Sequence, residues 1–316
     1  MSVAVIIPTF RRPDSLRRAL ASVWAQEGLG DQLTQIIIVD NDPDGSGRAV
    51  IAERQADARL TYIHEPRPGV SNARNAGVAA VKADLVAFLD DDEAASSGWL
   101  AALLDAQAKL QADVLFGPIR GRADDAEPWL RPYLSRFFGR EGPTGDQRIE
   151  HAYGCGNSLL VRATALSETA PFDPRMNETG GEDDALFSRL AARGLVFGWA
   201  AQAWVDEFAP PERATLAYAL KRAFAYGQGP SQTAARDRRP IAVLRWMAIG
   251  AAQATVFGAL AGLAWLVRSP RRADLSDRAV RGLGKLLWMP LFEPRLYGQI
   301  GRGGPTRRGK AAIATG

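Results

Sequence analysis

Asp84-Leu85-Val86-Ala87-Phe88-Leu89-Asp90-Asp91-Asp92-Glu93 is the stretch that decides the fold. An apolar strand runs straight into four carboxylates. Like charges a few ångströms apart repel, and each loses hydration where a strand end is partly buried. A divalent cation among the oxygens relieves both costs. Hard oxygen ligands suit Mg²⁺ or Mn²⁺, and such ions commonly hold a substrate's phosphates. A solvated acidic turn capping the next helix gives the same pattern, because carboxylates favour helix N-termini. The surrounding sequence has to separate the two.

Upstream, residues 3–8 form a short apolar strand and Thr9-Phe10-Arg11-Arg12 a loop. Pro13-Asp14 then opens a helix in the way Pro favours, with Leu16, Leu20, Val23 and Trp24 on one face. Residues 35–39 form a buried strand ending at Asp40-Asn41-Asp42-Pro43-Asp44-Gly45, a turn-rich run followed by another helix. A strand at 60–64, a helix over 71–82 and the acidic strand at 85–90 follow. Downstream, a helix over 98–111 and a strand at 114–118 continue the alternation. Strands alternating with helices imply a mostly parallel sheet with helices on both faces. Ligands bind at the carboxyl ends of such strands, where Asp40 and Asp90 both sit. Residues 121–150, rich in Gly, Pro and charge, read as a lid or surface loop. Gly180-Gly181-Glu182-Asp183-Asp184 starts a further helix that turns Leu186 and Leu190 inward and stops at Gly194.

The chain has 316 residues, 47% hydrophobic and 23% charged, enough for a large folded core. Its one cysteine, Cys155, excludes an intrachain disulfide and fits a reducing compartment. Met1-Ser2-Val3-Ala4-Val5 shows no signal-peptide pattern. The net charge of +4 divides unevenly: eleven basic and three acidic residues from Arg268 onward give that tail +8. Residues 246–267 are apolar except for Gln253, flanked by Arg245 and Arg268, and long enough to span a bilayer core. Gly258 and Gly262 hint at helix packing there. A buried helix of a soluble domain has the same composition. The apolar stretch selects a membrane surface, rather than nucleic acid, as the partner of the basic tail. Attachment through residues 246–316 is expected to be monotopic, or a hairpin with the second apolar patch at 283–300.

Five motifs occur in order: Val5-Ile6-Ile7-Pro8-Thr9-Phe10-Arg11-Arg12, Ile38-Val39-Asp40-Asn41, Ser71-Asn72-Ala73-Arg74-Asn75-Ala76-Gly77, Leu89-Asp90-Asp91-Asp92 and Gly181-Glu182-Asp183. Together they resemble a family 2 glycosyltransferase of GT-A fold, across roughly residues 3–215. Glu207-Phe208-Ala209-Pro210-Pro211-Glu212-Arg213 and Arg278-Ala279-Val280-Arg281-Gly282-Leu283-Gly284 are similar to segments of the bacterial exopolysaccharide subgroup, of the succinoglycan-synthesis type. The fold class expected is α/β, a Rossmann-like, mostly parallel sheet with flanking helices. Residues 1–238 would be the catalytic domain and 239–316 a helical membrane-associating region with the basic tail.

The resemblance implies an inverting enzyme that moves one sugar from a nucleotide-sugar donor, a UDP-sugar, with Mg²⁺ or Mn²⁺. The acceptor would be a lipid-linked glycan or polysaccharide precursor at the cytoplasmic face of the inner membrane. By resemblance Asp90 and Asp92 face the metal, with Asp92 the direct ligand, and Asp91 faces the ribose or turns away. Asp40 reads the base, and Pro8, Thr9 and Arg11 flank the nucleotide. Arg74 meets the diphosphate, for which a guanidinium is well shaped. Asp183 is the general base, since a carboxylate has only to accept a proton as the new bond forms.

Two departures stand out. Many relatives place a late His as a third metal ligand, but here Trp204-Val205-Asp206-Glu207 occupies that region, leaving Asp206 or Glu207 to substitute, or the diphosphate and Asp92 alone to hold the metal. The Gln-x-x-Arg-Trp signature of processive synthases is also absent, which argues for addition of one sugar. A missing Gly-x-Gly-x-x-Gly excludes a dinucleotide dehydrogenase, and a missing Gly-x-x-x-x-Gly-Lys-Ser/Thr a phosphate-loop NTPase. A non-catalytic nucleotide-sugar-binding membrane protein is the alternative from a different class. Trp99, Trp129 and Tyr153 are either sugar-stacking or buried aromatics.

Overall fold

The computed structural model describes residues 1–53, 57–177 and 180–294. Its strands are β1 (Val3–Thr9), β2 (Leu33–Asp40), β3 (Leu60–His64), β4 (Leu85–Phe88), β5 (Glu93–Ala95), β6 (Val114–Phe116), β7 (Ile119–Arg122), β8 (Gln147–Ile149), β9 (Ser158–Val161), β10 (Phe197–Trp199) and β11 (Val205–Phe208). Its helices are α1 (Pro13–Trp24), α2 (Arg48–Ala52), α3 (Val70–Ala79), α4 (Trp99–Leu110), α5 (Arg131–Phe138), α6 (Arg162–Ala165), α7 (Glu182–Ala192), α8 (Leu216–Arg236), α9 (Pro240–Leu266) and α10 (Arg272–Leu286).

Eight strands form one sheet in the order β3-β2-β1-β4-β9-β6-β10-β8. β1, β2, β3 and β4 are parallel, as the alternating pattern required. β9 runs antiparallel between β4 and β6. Residues alternate across the sheet with period two. Val5, Ile7, Ile36, Ile38 and Ala87 pack on α1 and α4, whereas Ile6, Ile37, Val39, Val86 and Phe88 pack on α3 and α7. The register pairs Thr9 with Asp40, so the ends of β1 and β2 are level, with β4 alongside.

The acidic run leaves β4 and enters β5, in a second sheet ordered β5-β11-β7. Residues 121–150 are not the loop that their composition suggested. Arg131–Phe138 is helical, and Leu130, Tyr133, Leu134 and Phe138 form a small core with Ala219 of α8 and Ala273 of α10. Aromatic spacing inside a polar segment supplied the buried face.

α8, α9 and α10 pack into one helical layer. Gly258 and Gly262, the pair singled out for packing, face open space. Close approach falls elsewhere. A Cβ on Gly282 would lie 2.6 Å from the Ala254 nitrogen, and one on Gly250 2.6 Å from the Gly282 carbonyl oxygen. Gly284 meets the Phe224 carbonyl and Gly227 meets that of Arg281. α10 thus presents glycines to both neighbours. Of the expected 239–316 region, residues 295–316 lie outside the described residues, and with them residues 295–300 of the apolar patch 283–300.

Gly284→Val should separate α10 from α8 and cost about 1–3 kcal/mol by overpacking. Gly258→Ala should be neutral or stabilise by up to about 1 kcal/mol. Denaturant titration of both variants checks the pair, and equal effects would refute the packing described.

Candidate active site

The acidic run does not project into solvent. Asp91, Asp92 and Glu93 are buried, and only Asp90 is partly open. Asp91 turns inward: its Oδ2 accepts from Thr9 Oγ1 at 2.9 Å and its Oδ1 from Arg12 Nη1 at 3.0 Å. The same Arg12 nitrogen donates to Asp92 Oδ2 at 2.8 Å. Arg213, from the segment after β11, stands 3.9 Å from that oxygen. Burial and the neighbouring Asp92 push the Asp91 carboxyl up to about 7, although Arg12 opposes the shift.

Asp92 is raised by burial too, and Glu93 by burial with Asp90 and Glu207 beside it. Register in the second sheet sets Glu207 opposite Glu93. Adjacent strand residues point to opposite faces, so Asp206 and Glu207 diverge. Asp206 is held by Arg122 at 3.1 Å and Arg120 at 3.5 Å, on the other side. Glu207 faces the cluster, where burial with Asp92 and Asp90 raises it to about 8.

The loop after β1 is shaped by a left-handed residue. Arg11 has φ 55°, an uncommon state for a side chain of its size. Its Nε donates to Asp42 Oδ1 at 3.0 Å, while the turn aims Arg12 back at the carboxylates. Pro8 is buried within β1. Asp40 is fully buried, and its oxygens accept from Gly47 N at 2.7 Å, Tyr62 Oη at 2.9 Å and Asp42 N at 3.1 Å. It anchors the turn 41–47 from within. Asn41 does the same for the next loop, donating to the Glu65 and Arg67 carbonyls and accepting from Gly69 N.

Arg74 joins three elements. From α3 its Nη1 donates to Glu182 Oε1 at 2.5 Å and its Nη2 to Asp90 Oδ1 at 3.3 Å. The guanidinium is nearly wholly buried, and its Nε has no partner among the described residues. This ties the start of α7 to the end of β4. Gly181, with φ 86°, turns the chain into α7, and Asp183 follows in its first turn. Asp183 Oδ2 accepts from Cys155 N at 3.1 Å. A Cβ on Gly156 would lie 2.8 Å from Asp90 Oδ2, and one on Gly154 3.4 Å from Asp183 Oδ2. Three consecutive residues therefore touch both carboxylates. Burial raises the Cys155 thiol to about 12, so it stays protonated.

Arg140, which the sequence did not single out, fixes that loop. It donates to the carbonyls of Gly117, Gly154, Gly156 and Asn157 at 2.7–3.0 Å. Asn157 is itself buried, donating to Pro118 and Ala203 carbonyls and accepting from Trp99 Nε1. Trp99 is thus a core residue. Trp129 lies under Arg272, and Tyr153 packs on Phe116 and Trp199. His64 Nε2 lies 2.9 Å from the Asp42 carbonyl oxygen, and His151 packs near Tyr153.

Carboxylate oxygens are the donor type that a hard cation takes. Asp90 Oδ2 has no hydrogen-bond donor among the described residues, and the surrounding carboxylates repel one another. No group of three acidic, His or Cys side chains that could hold an ion occurs among the described residues. Asp90 and Asp92 would share a cation with donor phosphate oxygens, as Mg²⁺ commonly is. Arg12 would then compete for Asp92.

Residues 4–168, just over half of the chain, match the family model for glycosyl transferase family 2. The chain belongs to this family. It is 31% identical over 231 residues to the succinoglycan biosynthesis protein ExoM of Rhizobium meliloti (strain 1021), covering 72% of this chain and 74% of that protein. ExoW of the same organism is 34% identical over 125 residues, 38% of each chain. Among solved structures, S. aureus TarS 1-349 superposes with TM-score 0.54 at 14% identity, covering 89% of this chain and 90% of that one. The same TarS fragment in complex with UDP gives 0.53 at 16% identity, with the same coverage. These likenesses show the GT-A fold. This family 2 glycosyltransferase is an enzyme of α/β class.

Asp91 and Glu207 carry folded-state values above their ordinary 3.8 and 4.5. A raised carboxylate contributes most below its unfolded value and loses that contribution as pH rises through its folded value. Metal-free protein should therefore lose stability between about pH 4 and pH 8 from this cluster, in which Glu207 faces Asp90, Asp92, Arg140 and Arg222. Glu207→Gln should flatten that loss, measured as denaturant midpoints in chelator. Arg140→Ala, which strips donors from four carbonyls, should cost about 3 kcal/mol. An unchanged midpoint would dismiss its role in the loop.

Proposed function

We propose that this enzyme transfers one sugar from a UDP-sugar to a saccharide acceptor with inversion, Asp183 acting as general base. The observation that carries this reading is the loop Gly154-Cys155-Gly156, which lies against both Asp183 and Asp90. Proton acceptance and departure of the diphosphate need groups on opposite sides of one sugar. Asp183 would take the acceptor hydroxyl's proton as its oxygen attacks the anomeric carbon. Its position is fixed by the Cys155 amide and, through Glu182, by Arg74.

Asp90 and Asp92 would hold the divalent cation, which when bound supplies charge for the leaving diphosphate. Arg74 adds a fixed positive charge behind Asp90. The turns after β1 and β2, shaped by Thr9, Arg11 and Asp40, would receive the nucleotide. The UDP complex of TarS supports the choice of nucleotide.

ExoM and ExoW, as succinoglycan biosynthesis proteins, support an acceptor that is an exopolysaccharide precursor; the proposed acceptor would be lipid-linked. The catalytic domain, residues 1–238, would work at the cytoplasmic face of the inner membrane, attached through residues 239–316. Pro240–Leu266 is the helix long and apolar enough to cross a membrane among the described residues, with mean hydropathy 1.6 and 17% of its most apolar window buried.

Asp183→Asn should abolish transfer, by about 10³-fold or more, while leaving UDP binding within twofold. Retained turnover would remove Asp183 as the base. Asp92→Asn should weaken Mn²⁺-dependent UDP binding about tenfold or more. Calorimetry with and without Mn²⁺ reads this directly, and unchanged binding would take Asp92 out of the metal site.

A further inference from the structure

A single bilayer crossing by α9 is hard to reconcile with its neighbours. One side of α9 is packed along α10: Gly250 and Ala254 meet Gly282, and Gln253 bonds the Arg278 carbonyl and Lys285 Nζ. α10 carries Asp274, Asp277, Arg278, Arg281 and Lys285, and Asp274 and Asp277 bond Arg136 and Tyr133 of α5. A crossing would draw those charges into hydrocarbon or break the contacts. The opposite side of α9 exposes Ile241, Leu244, Ile249, Val256, Leu260 and Leu263. At 100° per residue these fall within one half of the helix surface. α9 is therefore placed to lie in the membrane interface on that face.

At its start lies a cleft of about 520 Å³, lined by Arg238, Arg239, Pro240, Val243, Leu244 and Trp288. It opens at the elbow between α8 and α9, where Arg238 has φ 57°. Gln228 and Gln232 of α8 donate to the carbonyls of Leu287 and Trp288, which fixes the indole's strand of chain against the elbow. Arg238 and Arg239 are exposed and have no ion pair among the described residues. Arg238 and Arg239 are the charged residues lining the cleft, so its lining is positive. Exposed Met289, Leu291 and Phe292 extend the apolar surface beside Trp288.

We propose that this cleft binds the headgroup phosphate of an anionic phospholipid, with the outer face of α9 lying in the adjoining interface. Two guanidiniums over an apolar floor match a phosphate joined to acyl chains. The chain's own end does not match: residues 295–316 carry five basic and no acidic residues, and would be repelled. The proposal rests on the membrane-association reading above and specifies the ligand and its place.

The test is flotation of full-length protein with vesicles of phosphatidylcholine, alone or mixed with phosphatidylglycerol. Arg238→Gln/Arg239→Gln is compared with Arg307→Gln/Arg308→Gln, which removes the same charge from the tail. The elbow variant should lose at least tenfold in partition onto phosphatidylglycerol vesicles, and the tail variant less than threefold. Brominated phosphatidylglycerol should quench wild-type protein more than Trp288→Phe. Equal losses in the two variants, or no quenching difference, would overturn the cleft while leaving membrane attachment intact. Release of wild type by millimolar inorganic phosphate would assign the cleft to free phosphate instead. Failure of wild type to bind either vesicle would overturn the attachment reading itself. UDP binding, unchanged in the elbow variant, confirms folding independently of all these outcomes.

Discussion

Mutual repulsion among carboxylates is the constraint on which this candidate active site is built. Asp90, Asp91, Asp92, Glu93 and Glu207 gather where the main sheet hands over to the second sheet. Asp91, Asp92 and Glu93 among them are buried. Arg12 neutralises two from the β1 loop, Arg74 braces Asp90 from α3, and Arg140 adds its charge from the segment after α5. Each arginine comes from a different part of the chain, so the cluster can form only when those parts have docked. Removing a buried partner from such a set leaves an uncompensated charge, which costs more than the pair itself contributes.

The same arginines give the site its geometry. Arg74 bonds Glu182, and the next residue is Asp183. Arg140 holds the carbonyls on either side of Cys155, whose amide bonds Asp183. Asp183 is thus placed by two routes that share no residue. These contacts hold the Asp183 carboxylate in a fixed position, which the proposed role of base requires.

The helical layer is joined to this machinery through α5. Tyr133 and Arg136 bond Asp277 and Asp274 of α10, and Arg272 packs 3.7 Å over the Trp129 ring. Glycines at 227, 250, 282 and 284 let α8, α9 and α10 approach closely. Small residues on one side of α9 pack against α10, and large apolar residues on the other side are exposed.

The sequence by itself determined a mostly parallel sheet in the first half, Asp40 and Asp90 at strand ends, and the family. Period-two and helical periodicities are local, and ordered motifs carry the rest. It also exposed α9, because a long apolar run needs no tertiary contact to be seen. Tertiary structure alone decided that residues 121–150 pack as α5, that Glu207 and not Asp206 faces the cluster, and that Gly258 and Gly262 touch nothing. It alone revealed Arg12 and Arg140 as the partners of the acidic run and of the 154–157 loop. Arg12 and Arg140 lie about 80 and 15 residues from what they bind. No local pattern encodes a contact at that separation; packing selects it.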